Sequence, residues 1–349
     1  MKITILWSSL ASYSVAFFKE LAITQNCRLQ LIYQGTKSDA PYKKFDLAFC
    51  HEALQDSRNL KLEKLVTDFS PDCVLMCSWS FPHFMRITRK LRRQGVFVVS
   101  GMDNQWHGTI KQRLGVLSSR WFLKPSIDTF LVAGDRQAYF ARKLGYDNVL
   151  YGYASAEVNR FITDLSINER PKNFLFVGRL ISVKGVKNLT LAYRNYRKQT
   201  ADPWGLQIVG TGELQYLLEN VQGVKLLGFV QPDQLPVIMQ NASCFVLPSF
   251  WEPWGVVIHE ATASGLPVIA TYPCGAVTAF VRDGVNGYLI PPRPEPLADA
   301  MLRISTCDDT ELEQMSQASL TLAKLWTPQK LAEYFVASVK RLLSSRKTS

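Results

Sequence analysis

No run in this chain approaches the roughly 20 consecutive apolar residues that cross a bilayer. Near the start only ITILW is apolar. A secretory leader needs a charged start, a longer apolar core and a small-residue cleavage site. The run therefore reads as a first buried strand, and a cytoplasmic location is expected. Low-complexity tracts are absent and only 20% of the residues are charged, which excludes extended disorder. The seven cysteines are odd in number and scattered. Cys73 and Cys77 are the nearest pair, without partner ligands for zinc, so buried reduced thiols are expected rather than a metal site. A metal-binding Asp-x-Asp is also missing; Asp308 and Asp309 are adjacent and sit in a late polar segment. The full dinucleotide fingerprint is absent too.

What is present is a chain of 349 residues, 47% hydrophobic, long enough for two cores. Its formal net charge is +11. Residues 1–165 hold 22 Lys/Arg against 14 Asp/Glu, a net +8, and residues 166–349 hold 18 against 15, a net +3. A basic first half admits nucleic acid, anionic lipid head groups or a phosphorylated acceptor as partners. The charge comes with no nucleic-acid-binding motif, so no nucleic-acid partner is expected.

Short apolar segments bounded by Gly, Pro, Ser or Asp recur along the first half: KITILW, RLQLIYQ, CVLMCS, VFVVSG, DTFLVAG and NVLYGYA. Helical patterns lie between them, as at Phe84, Ile87 and Leu91. The second half repeats the scheme with NFLFVGR, GLQIVG, VKLLGF, CFVLPS and PVIAT. Alternation of strand and helix predicts an α/β protein of two Rossmann-like, doubly wound domains. The expected division is 1–165, 166–326 and a terminal helix over 327–349. That helix starts with Thr327 as cap and Pro328 at its first position. Leu331, Phe335, Val339 and Leu342 form one face of it.

Ligands of open parallel sheets sit beyond the carboxyl ends of the strands. After NFLFVGR comes RLISVKG, where Arg179 and Lys184 suit a diphosphate or simply form a solvated basic loop. Gly210 and Gly212 flank Thr211 after GLQIVG, as an ordinary tight turn or as a place where backbone approaches a ligand. After CFVLPS, the stretch FWEPWGVVIHEATASG carries Glu252 in a loop and Glu260 on a helix that starts near Gly255 and stops at Gly265. The first-turn amides of Gly255, Val256 and Val257 favour an anion. Glu260 lies between apolar neighbours. It reads as a core carboxylate bonded to backbone, or as the acceptor for the two hydroxyls of a ribose.

VGRLISVKG, VGTGEL, LGFVQPDQLP, EPWGVVIHE, ASGLPVIAT and FVRDGVNGYLIPP follow one another over 173–293. In order and spacing they resemble the retaining glycosyltransferase family 4, of GT-B fold. The resemblance implies two Rossmann-like domains facing a central cleft, with the last helix crossing back to the first domain. It implies a nucleotide-sugar co-substrate, a UDP- or GDP-sugar, with no other cofactor and no metal. By the same resemblance Arg179 and Lys184 bind the donor diphosphate, and the Gly255, Val256 and Val257 amides meet the phosphates. Glu260 holds the ribose, Glu252 contacts the donor sugar, and the base lies near Gly228, Phe229 and Leu235.

The first half resembles the family less. SSLASYS stands where the family carries a glycine-rich loop. In MDNQWHGT the resemblance points to Asp103 by position and to His107 by chemistry as the group facing the donor sugar; a capping Asp and a surface His read equally from the residues. RITRKLRR (86–93) and KQRLGVLSSRWFLKP (111–125) mix cations with apolar side chains. They suit peripheral contact with an anionic membrane at the inner face of the plasma membrane, a lipid-linked acceptor, or an ordinary solvated face. The function these readings imply is retaining, metal-independent glycosyl transfer to a saccharide or lipid-linked glycan in cell-surface polysaccharide biosynthesis. The rivals are a nucleotide-sugar-binding protein without transfer activity and a GT-B sugar-nucleotide epimerase.

Overall fold

Strands that are apolar on successive residues can be buried only in a sheet covered on both faces. The computed structural model, which describes residues 1–35, 44–56 and 61–347, contains two such sheets. The chain divides into unit 1, Met1–Ser155 with Pro328–Ser349, and unit 2, Ala156–Thr327.

The sheet of unit 1 has the order β3-β2-β1-β4-β5-β6-β7, all parallel. Its strands are β1 (Lys2–Ser9), β2 (Arg28–Gly35), β3 (Glu52–Gln55), β4 (Cys73–Met76), β5 (Phe97–Met102), β6 (Thr129–Val132) and β7 (Leu150–Tyr151). The helices of this unit are α1 (Ser12–Ile23), α2 (Leu62–Phe69), α3 (Pro82–Arg93), α4 (Ile110–Phe122) and α5 (Asp135–Lys143). Ile3, Ile5, Leu29, Leu31, Val74 and Val99 are fully buried along the central strands. Each side chain of this size contributes roughly 1.5–3 kcal/mol on burial.

Unit 2 repeats the plan with a parallel sheet in the order β10-β9-β8-β11-β12-β13. It opens with the short helix α6 (Val158–Phe161). The strands are β8 (Asn173–Val177), β9 (Gly205–Val209), β10 (Val224–Gly228), β11 (Cys244–Leu247), β12 (Val268–Thr271) and β13 (Gly287–Ile290). Between and after them lie α7 (Val186–Arg197), α8 (Leu235–Gln240), α9 (Val256–Ala263), α10 (Val277–Phe280), α11 (Pro294–Ser305) and α12 (Asp309–Lys324). The last helix, α13 (Pro328–Lys347), belongs to unit 1. There it packs on α1, with the Phe335 ring edge-on to Phe17 at 5.8 Å.

The structure departs from the sequence expectation in three places. The edge strands β3 and β13 were not expected from the pattern. The boundary between units falls at Ser155/Ala156 rather than 165/166. Residues 156–165 side with unit 2 because the Ala156 amide donates to His259 Nδ1 at 3.0 Å and α6 packs on α9.

Candidate functional site

In unit 2 the strand order reverses between β8 and β11: β9 and β10 lie beyond one, β12 and β13 beyond the other. Such a reversal opens a crevice at the carboxyl ends, the usual ligand position in open parallel sheets. Two loops leave there, 178–185 after β8 and 248–255 after β11. They are joined backbone to backbone, Phe250 N donating to Val183 O at 2.8 Å. Gly185 makes the approach feasible. Its φ is +73°, and a Cβ would stand 2.1 Å from the Pro248 carbonyl oxygen. Gly185→Ala is therefore expected to destabilise the fold by roughly 2–4 kcal/mol, from left-handed strain plus overpacking. A lower urea midpoint at unchanged slope would register it.

The two loops bring Lys184 and Glu252 together as an ion pair, their side chains 17% and 12% exposed. Glu252 is also fixed through its backbone, its carbonyl accepting from Gly275 N at 3.0 Å. Arg179 lies at the mouth of the β8 loop and is exposed. A cationic ammonium beside a carboxylate at a sheet's reversal point can neutralise a phosphate with one partner and accept from hydroxyls with the other.

Gly210 and Gly212 are needed for a reason internal to the protein. A Cβ on Gly210 would lie 2.0 Å from the Gly178 carbonyl oxygen, and one on Gly212 would lie 2.5 Å from that of Leu180. What approaches these glycines is the Gly178–Leu180 backbone, and Leu180 N donates to Thr211 O at 2.9 Å. They set the path of the chain on either side of Arg179. Gly210 N in turn donates to Gly228 O at 2.7 Å, which links the loop after β10 to the same set. In that loop Phe229 is 37% exposed, and Leu235 opens α8.

Helix α9 begins after Gly255, whose φ is +90°. The amide of Ile258 is the first to fold back, donating to Gly255 O at 3.0 Å. Those of Gly255, Val256 and Val257 donate to no described residue. Further along the helix, Glu260 is 9% exposed, and no described residue donates to its carboxylate. Burial raises its pKa to about 7, with Arg160 pulling it down and Glu157 pushing it up. These two come from α6 and its cap and pair with each other at 2.7 Å. A buried carboxylate lacking donors needs them from elsewhere.

The neighbouring His259 is wholly structural. Its Nδ1 accepts from Ala156 N and its Nε2 lies 3.1 Å from Ala323 O, which requires the neutral Nε2–H tautomer. The ring stacks on Phe280 with centroids 4.0 Å apart, and burial lowers the pKa to about 4. Thus α9 is tied to both ends of its unit.

Twelve of the fourteen expected site residues lie in unit 2; Asp103 and His107 lie in unit 1. Both are exposed in the loop between β5 and α4. That loop is held by Gln137 Nε2 donating to Asp103 O at 2.9 Å and by His107 N donating to Gln112 Oε1 at 2.8 Å. Sequence reasoning missed Arg160 and Glu157, which fell at the end of the first expected domain and outside the 173–293 stretch that carries the resemblance. No cluster of three His, Cys, Asp or Glu side chains suited to a metal occurs among the described residues. Nor, among them, is any helix long and apolar enough to cross a membrane.

With this geometry in hand, the fold can be placed. The crystal structure of Anabaena HepE in complex with UDP superposes with a TM-score of 0.73 at 18% identity, covering 98% of this chain and 100% of that one. The fold is that of the GT-B glycosyltransferases, with two Rossmann-like units on parallel sheets. Residues 158–320, all inside unit 2, match the model of Glycosyl transferases group 1. An uncharacterized glycosyltransferase of Methanocaldococcus jannaschii is 31% identical over 152 residues, which are 41% of this chain and 38% of that protein. Alpha-D-kanosaminyltransferase of Streptomyces kanamyceticus is 30% identical over 165 residues, 45% of this chain and 42% of that enzyme. The chain thus spans about four-tenths of the length of these curated relatives.

Proposed function

We propose that the protein is a retaining, metal-independent glycosyltransferase. It moves a sugar from a UDP- or GDP-sugar to a saccharide or lipid-linked glycan in cell-surface polysaccharide biosynthesis. The observation that carries this reading is the constellation at the β8/β11 reversal: the Lys184–Glu252 pair, the undonated α9 amides and the donor-poor Glu260 carboxylate within one unit. UDP in the HepE crystal favours a uridine donor among the two.

Glu260 accepts from the ribose hydroxyls, and the base rests near Phe229 and Leu235. The diphosphate meets Arg179, Lys184 and the amides of Gly255, Val256 and Val257. Glu252 accepts from the donor sugar. In transfer, the bond from the anomeric carbon to the diphosphate oxygen breaks and the acceptor hydroxyl oxygen bonds to that carbon on the same face. The hydroxyl proton passes to the departing phosphate oxygen, so no separate protein base is needed. Cations and helix amides stabilise the charge that develops on the leaving group. Two protein cations at the diphosphate support a reaction that needs no metal. The roles that resemblance assigns to Asp103 and His107 stand within this proposal, as does a cytoplasmic place at the inner face of the plasma membrane.

The test is a panel of nucleotide sugars incubated with the protein, with nucleoside diphosphate release followed beside Glu252→Ala. Release from one donor, raised by membrane extract, undiminished by a chelator and lost in the variant, is the expected result. A product of inverted anomeric configuration would refute the retaining course. Tight donor binding with no release under any acceptor condition would favour a pocket without turnover.

A further inference from the structure

We infer that α4 and the basic face of α3, both in unit 1, form a docking surface for an anionic lipid bilayer. This extends the peripheral placement in the reading above and is independent of the transfer chemistry.

Helix α4 is inside out for a surface helix. Its one buried residue is Ser119, whose hydroxyl donates to Leu144 O at 3.0 Å. The apolar side chains point to solvent instead: Ile110 is 78% exposed, Leu114 60%, Leu117 69% and Trp121 55%. Their spacing, i, i+4, i+7 and i+11, makes one continuous stripe. Phe122, 66% exposed, continues it. Scattered exposed hydrophobics need no account, but a contiguous stripe of large side chains marks an interaction site.

The chemistry of the partner follows from the charge around the stripe. Between residues 82 and 124 the chain holds nine Lys/Arg against a single Asp, a net +8. Neither α3 nor α4 contains an acid. Arg120 lies against the Trp121 ring at 3.9 Å, an arrangement that places an amphipathic ring and a cation at one level. An open groove of about 900 Å³ runs between the two helices. Arg86, Arg89, Lys90 and Arg93 line one side, and Phe122 and Trp79 lie among its apolar residues. Of these cations Lys90 is paired with Glu63. A protein partner would be expected to meet an apolar core with a polar rim of both signs. A stripe of Leu, Ile, Trp and Phe bordered mainly by cations matches the acyl boundary and head groups of an anionic leaflet.

The test is co-sedimentation of the full chain with vesicles of phosphatidylcholine alone and of phosphatidylcholine with about one-third phosphatidylglycerol. Two double variants accompany it, Leu117→Glu with Trp121→Glu, and Arg89→Glu with Arg93→Glu. All these side chains are exposed, and circular dichroism checks that the variants are folded. Expected is binding to the anionic vesicles only, weakened by salt, and reduced at least about tenfold in each double variant. Nucleoside diphosphate release in solution should be unchanged by the stripe variant, so failure of this inference and failure of the transferase reading give different results. Absence of binding to anionic vesicles, or equal binding by the stripe variant, overturns the inference. So does self-association by light scattering that the stripe variant abolishes without any vesicle binding, which would assign the stripe to a second copy of the chain.

Discussion

Lys184→Ala is expected to slow nucleoside diphosphate release from the donor by roughly 10²–10³-fold, the usual cost of removing one preorganised group from a developing anion. The ammonium sits at the end of a short turn closed by Gly185, and that glycine is packed on the Pro248 carbonyl, so its position is set before any ligand arrives. The loss should fall on kcat more than on KM if the charge matters chiefly in the transition state. Removing Lys184 also leaves Glu252, 12% exposed, without its ion-pair partner. The double variant Lys184→Ala/Glu252→Ala should then lose less than the product of the two single losses, because the groups act as a pair. Additive losses in a steady-state comparison would show that the pair is not a functional unit.

Glu260→Gln should weaken donor binding by roughly 10²-fold, the equivalent of about 3 kcal/mol, because hydrogen bonds to a charged acceptor are the strong ones. Its effect on stability depends on pH in a defined direction. The folded pKa of Glu260 is raised to about 7 from 4.5. Between these values the folded state holds the proton and the unfolded state does not, so stability falls as pH rises from about 4.5 to about 7, by at most about 3 kcal/mol. His259 works the other way. Its folded pKa is lowered to about 4 from 6.5, so its contribution is present above about 6.5 and lost as pH falls toward 4. Adjacent residues thus oppose each other over one window, and the wild-type profile is flatter than either contribution. Urea unfolding of Glu260→Gln across pH 4.5–7.5 should show a stability rising with pH more steeply than the wild type. Parallel profiles would show that Glu260 is not protonated in the ligand-free fold.

The pair of acids in EPWGVVIHE was legible because loop and helix positions can be read from Gly255 and Gly265, and a carboxylate among apolar neighbours stands out. Glu260 proves buried and without a donor in its own unit, a state that sequence can suggest but not measure. Gly210 and Gly212 show the opposite case. The spacing left open an ordinary tight turn or an approach to a ligand, and what approaches is another stretch of backbone brought there by sheet pairing. No local pattern contains that. Arg160 was hidden in a polar segment, since its relation to Glu260 exists only once α6 lies on α9. Strand β3 escaped because its four residues alternate between half-buried and exposed at a sheet edge, which dilutes the apolar signal, whereas β13, buried at three of its four positions, is a short run inside the segment FVRDGVNGYLIPP. The parallel, doubly wound plan was readable because central strands such as Phe174–Phe176 are apolar on both faces.

The assignment of α13 to unit 1 has a consequence for synthesis. Unit 2 is one uninterrupted segment, and all of it is synthesised before residue 328 is added. Unit 1 is translated first yet lacks the helix that covers Phe17 until residues 328–347 follow unit 2. Nascent domains ordinarily mature in the order of their translation. Here the unit made first cannot cover the α1 face around Phe17 until the whole of the second has been synthesised, so its core closes out of that order.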